Sequence, residues 1–162
     1  MIQSFRRVKI DVNDRLYSEI IRFGVTRCLR CGCVKALQCA HIIGRKHYTT
    51  RFVFLPKPNA IALCSDCHSW LDTHKMRDLI FDAGKRVFNE KNESYTFLVK
   101  RCGYSWGDLQ KLYLDAQGVM RPPYSWQKKD ITKKLRSILD KLKARERYPK
   151  HVFQDGRIDV FY

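Results

Sequence analysis

The fold is decided between residues 28 and 70, in four pieces: CLRCGC (28–33), QCAHIIGR (38–45), TRF (50–52) and NAIALCSDCHSW (59–70). Two Cys-x-x-Cys pairs, Cys28/Cys31 and Cys64/Cys67, bracket His41 and Asn59, and His68 follows the last cysteine directly. Each pair presents two sulfurs from one turn. Zinc takes four thiolates or imidazoles in a tetrahedron, so the four cysteines form a candidate structural zinc site. Because 32 residues separate Cys31 from Cys64, the intervening segment must fold as a unit and return. Cys33 is an alternative to Cys31 in the ligand set. No βαβ pattern surrounds either pair, which argues against thioredoxin-like redox chemistry.

The chain has 162 residues, 44% of them hydrophobic, enough for one domain with a core or a small domain with appended helices. Lys and Arg number 32 against 16 acids, a formal charge of +16. That surplus attracts polyanions, and nucleic acid is the expected partner. No apolar run reaches the roughly 18 residues of a membrane span, the N-terminus lacks a secretory h-region, and the basic stretches lack a strongly apolar opposite face with Trp and Phe. A cytosolic protein without a membrane role is therefore expected. In a reducing cytosol, Cys-x-x-Cys pairs read as metal ligands before disulfides; Cys33, Cys39 and Cys102 are left over from a total of seven cysteines.

Four segments are predicted. Residues 1–27 form a support segment, with weak alternation at Phe5, Val8 and Ile10 and a helix capped by Asp14 and ending near Arg22. Residues 28–84 form the cysteine-bearing core: a strand over 35–43, a loop over 44–58 with a short strand at 52–55, a second strand over 59–63, and a helix from His68 to about Gly84. Residues 85–117 form a helical extension broken at Gly103. Residues 118–162 hold a linker, a basic helix over 127–147 and a tail with a turn at Asp155–Gly156. On the basic helix Ile131, Leu135, Ile138, Leu139 and Leu142 recur at helical spacing, so one face packs while cations cover the other. Their density and single sign suit contact with a phosphate backbone; nothing resembles a helix-turn-helix.

The arrangement of His41, Asn59 and His68 between two cysteine knuckles resembles the HNH endonucleases, in the branch with paired Cys-x-x-Cys knuckles common in bacteriophages. The resemblance covers residues 28–84. It implies an α+β fold: a zinc-stapled ββα-metal core, here with additional C-terminal helices. It also implies metal-dependent hydrolysis of DNA phosphodiester bonds. By the same resemblance His41 is the general base that activates water, Asn59 anchors the loop or orients His41, and His68 holds a divalent cation, magnesium or manganese, that stabilises the phosphate.

Many family members carry Asp or His directly before the base histidine as a metal ligand, whereas this chain has Ala40. A further ligand is needed. Asp72 lies four residues after His68 on the same helix face, and His74 is the second choice. Cys39 shares a strand face with His41, but a thiolate suits a hard cation poorly. Arg45 and Arg51 are the candidate contacts to phosphates flanking the scissile bond. The alternative is a non-catalytic, zinc-bearing nucleic-acid-binding protein, or a phage accessory factor that works beside packaging or recombination proteins.

Overall fold

Leu37–His41 (β1) and Ala60–Cys64 (β2) pair antiparallel, in a register running from Leu37 opposite Cys64 to His41 opposite Ala60. The computed structural model describes residues 11–44, 51–53, 57–73, 92–117 and 124–146. Every residue of β2 is buried. Its unbroken apolar run, AIAL, is what a strand covered on both faces requires. One face carries Ala40, Ile61 and Leu63, which join a core with Cys67 and Leu71 of the next helix. The other face carries Ala60 and Cys39, which pack with the first helix.

Ser65–Thr73 (named α2 in chain order) follows β2 without a loop. It starts three residues before the expected position, so Cys67 and His68 are both helical. Asp66 in the first turn complements the positive end of the helix. Residues 51 and 52 form a turn and Val53 is irregular, so the part of the expected 52–55 strand that is described is not a strand. The first strand is shorter than expected at both ends, and the second begins one residue later.

Val12–Arg22 (α1) is capped by Asp11, whose carboxylate accepts from the Asn13 amide at 2.8 Å. The expected cap was Asp14. That carboxylate instead sits inside the first turn and is turned toward Arg51. Tyr124–Glu146 (α5) packs along α1 through Leu135 and Leu139 against Leu16, Ile20 and Ile21, with Ile131, Ile138 and Leu142 at the margins. The predicted apolar stripe is therefore the packed one. Buried Asn13 donates to the Lys128 carbonyl at 3.2 Å and accepts from Thr132 Oγ1 at 2.6 Å. Lys128 meets Asp11, and Lys143 meets Glu19. Partners rise together along both helices, so α1 and α5 run parallel.

Glu93–Cys102 (α3) is capped by Asn92, whose side chain accepts from the Ser94 and Tyr95 amides, and it ends at Gly103 with φ of 68°. That left-handed conformation is why glycine breaks the helix there. Trp106–Gln117 (α4) opens on a reciprocal cap: Asp108 accepts from the Ser105 amide at 2.8 Å and Ser105 Oγ accepts from the Asp108 amide at 3.1 Å. Phe97, Leu98, Leu109 and Leu112 enter the same core as Cys28, Leu63 and Leu71, so the helical extension and the cysteine-bearing hairpin share one interior. The expected N-terminal strand, the helix beyond residue 73, most of the linker and the C-terminal hairpin lie outside the described residues. Among the described residues no helix is long and apolar enough to cross a membrane.

Candidate metal centre and hydrolytic site

Cys28, Cys31, Cys64 and Cys67 bring their sulfurs within 4.8 Å of one another. Four sulfurs about 2.3 Å from a tetrahedral zinc stand about 3.8 Å apart. The Cys31 and Cys64 sulfurs are 3.7 Å apart, so the cluster fits a metal ion such as zinc. Cys33, the alternative ligand, lies outside this group of four. The first knuckle closes through Gly32 N–H to Cys28 O at 2.8 Å and Cys28 N–H to Cys33 O at 2.9 Å, with Gly32 at φ 75°. It is tied to β2 by Leu29 N–H to Ala62 O at 3.3 Å. The second knuckle joins the last residue of β2 to the first turn of α2, so one cluster locks turn, strand and helix.

The thiols do not share one environment. Hydrogen bonding, first from the Cys33 backbone, lowers the Cys31 thiol to about 6, whereas burial pushes Cys67 up to about 12. Arg30 offsets part of that penalty. Its Nη1 lies 3.7 Å from Cys67 Sγ, and the guanidinium is stacked on Trp70 at 3.8 Å. A cation beside a buried sulfur favours the thiolate, the form that binds metal.

His41 ends β1, at the opposite end of the hairpin. Its Nε2 lies 3.2 Å from the Arg51 carbonyl, and its ring centroid is 5.6 Å from that of Tyr17. Only an N–H can bond a carbonyl, so the neutral ring has its proton on Nε2 and its basic lone pair on Nδ1.

The Arg51 carbonyl is held by a chain of contacts. The Arg51 guanidinium makes a two-pronged ion pair with Asp14, Nε to Oδ1 at 3.0 Å and Nη2 to Oδ2. Tyr17 OH donates to Val53 O at 2.6 Å, Asn59 N–H donates to Val53 O at 3.0 Å, and Tyr104 OH donates to Pro58 O at 2.6 Å. Asn59 is fully buried; its Oδ1 accepts from Ile43 N–H at 2.8 Å and its Nδ2 donates to Ile43 O at 3.0 Å. Replacing Asp14 by Asn removes the charge from a mostly buried pair. It should cost about 1.5–3 kcal/mol, read as a lower denaturant midpoint.

His68 sits elsewhere. Its Nδ1 is 2.7 Å from Gln38 Oε1, and its Nε2 is 3.8 Å from Asp72 Oδ2. The amide oxygen accepts the Nδ1 proton, and Nε2 faces the Asp72 carboxylate, an ion pair only when the ring carries both protons. Side chains alternate along a strand, so Gln38 and Ala40 share one face of β1 and Cys39 and His41 the other. His41 thus faces α1 while His68 and Asp72 stand on the α2 side. The hairpin brings His41 and Asn59 to one end; it does not bring His68 onto their face. A hexahydrated-type cation such as magnesium keeps several waters and needs few protein ligands, so His68, Asp72 and Gln38 fit it only as a partial set. Among the described residues, the four cysteines form the one group of three or more metal-ligating side chains.

Arg51 was expected at the phosphates, but its side chain is only 18% exposed and is engaged by Asp14. Arg45 and His74 lie outside the described residues. Four contributors were missed: Asp14, Tyr17, Tyr104 and Gln38. Strand parity with Ala40 marked Gln38, since both fall on the α2 face. Nothing local marked the two tyrosines, whose partners are 36 and 46 residues away. In comparisons with known proteins, the chain matches no family model, no curated protein and no solved structure.

Proposed function

We propose that this chain is a DNA endonuclease of the HNH class, built on a hairpin and helix stapled by zinc at Cys28, Cys31, Cys64 and Cys67. The observation that carries the reading is the bond from His41 to the Arg51 carbonyl. It sets the tautomer a general base needs, and the pinned loop keeps the ring from swinging away. A phosphodiester repels hydroxide through its own negative charge. Hydrolysis therefore needs a base that takes a proton as water attacks, and positive charge at the phosphate. His41 Nδ1 receives that proton, and Asn59 holds the loop that orients the ring. A divalent cation, magnesium or manganese, would supply charge neutralisation at the phosphate when bound; the residues the motif offers for it, His68 and Asp72, stand across the sheet from His41. The net charge of +16 supports nucleic acid as the substrate.

Ala40 and the separation of His41 from His68 by the sheet favour a second reading: a zinc-stapled DNA-binding protein without catalysis. Nicking of supercoiled plasmid in magnesium or manganese decides between them. The enzyme reading expects cleavage that falls about 10²–10⁴-fold in His41→Ala with DNA binding unchanged. Binding without cleavage by the unmodified chain, in either metal, would establish the second reading.

A further inference from the structure

We infer that the solvent face of α5 is a second nucleic-acid contact, which grips the phosphate backbone of duplex DNA on the side of the molecule away from the hairpin. This rests on the nucleic-acid part of the proposed function and not on catalysis. The apolar side of α5 is occupied by α1 and the hairpin, through Leu135 and Leu139 packed with Leu16, Ile20 and Ala60. At 100° per residue, Lys129, Lys133, Arg136 and Lys141 fall on the other half of the helix. All four are exposed. They share an open face of the helix with the small side chains Ser137 and Ala144. One carboxylate, Asp140, shares it.

The dimensions select the partner. From Lys129 to Lys141 the helix advances about 18 Å. A duplex presents one charge per roughly 3.4 Å of axis on each strand, so that length meets about five phosphates of one strand with four cations. A lipid surface is a poorer match, because this face offers no large apolar side chain to bury. Lys128 and Lys143 are excluded from the set, since Asp11 and Glu19 of α1 hold them. The stripe points away from His41, so it holds a different backbone segment from the one at the hydrolytic site. Its role is retention rather than chemistry.

The test measures binding of a fluorescent DNA duplex of arbitrary sequence across a salt series, with the full chain. The variants are K129E/K133E/R136E/K141E and the neutral K129Q/K133Q/R136Q/K141Q. Circular dichroism establishes that each remains folded. The slope of log affinity against log salt should shallow by about 3–4 in both variants, from about 0.9 per lost phosphate contact. An unchanged slope in both overturns the inference, as does an unmodified chain that binds no duplex. A shallower slope in a chain that never nicks plasmid leaves the stripe standing while the nuclease reading falls. An unchanged slope together with His41-dependent nicking does the reverse.

Discussion

Withdrawing the metal from the four-cysteine cluster should unfold the hairpin and the helix that follows it. Two strands of five residues make a hairpin that is marginal by itself. Its near end is closed by the meeting of two knuckles, beside the exposed Lys35–Asp66 pair and the Arg22 contact to the Leu37 carbonyl. With the ion gone, three buried sulfurs and the exposed Cys31 are left within 4.8 Å of one another with no ion to bridge them. Structural zinc contributes on the order of 10 kcal/mol in small domains, as much as the whole net stability of many domains. Elemental analysis should therefore find one zinc per chain. Chelation should abolish near-ultraviolet dichroism and the cooperative melt, and Cys64→Ser should do the same without chelator. Cys33→Ser and Cys102→Ser should keep both metal and fold, since neither belongs to the group of four. The pH dependence has a definite sign. Metal binds thiolates, so protons compete as pH falls, and the ion should be released on acidification and retained on the alkaline side. A Cys64→Ser chain that still holds one zinc and melts cooperatively would sink the metal centre.

The parts of this architecture that could be read beforehand are those with local signatures. The knuckles announce themselves by spacing, β2 by its apolar run, the α3–α4 break by Gly103, and the packed face of α5 by its period. What could not be read depends on partners distant in sequence. Asp11 and Asp14 are equally good helix-capping residues on local grounds; only the presence of Arg51, 37 residues on, explains why the second is used elsewhere. Arg51 looked like a phosphate contact for the same reason: a basic residue in a loop shows its charge but not its counter-ion. The disposition of His41 and His68 was half-readable. Strand alternation already separates position 41 from positions 38 and 40, but the side of the sheet taken by α2 is fixed only by packing. A motif spacing preserves neighbourhood along the chain, and the faces of a sheet can divide what the motif joins.

Asn59 should be the most costly single side chain to replace outside the metal cluster. It is fully buried and bonds both the N–H and the C=O of Ile43, a residue whose own backbone has left the β-ladder. Asn59→Leu keeps the bulk and leaves that amide and that carbonyl buried without partners. Each orphaned group costs about 1–3 kcal/mol, so the loss should be roughly 4 kcal/mol, read from the denaturant midpoint at unchanged slope. Asn59→Asp is a stricter probe. Its carboxylate can still accept from Ile43 N–H but has no proton for Ile43 O, and it adds a buried charge, so it should rescue little. The sulfurs close the Leu37–Cys64 end of the hairpin and Asn59 closes the His41–Ala60 end. Zinc stoichiometry should therefore stay at one in both variants at temperatures where they are folded, while any hydrolysis dependent on His41 falls with the loosened loop. Loss of zinc and stability together in folded Asn59→Leu would show that the two ends are a single cooperative unit, and that the carboxamide supports the metal centre rather than the histidine.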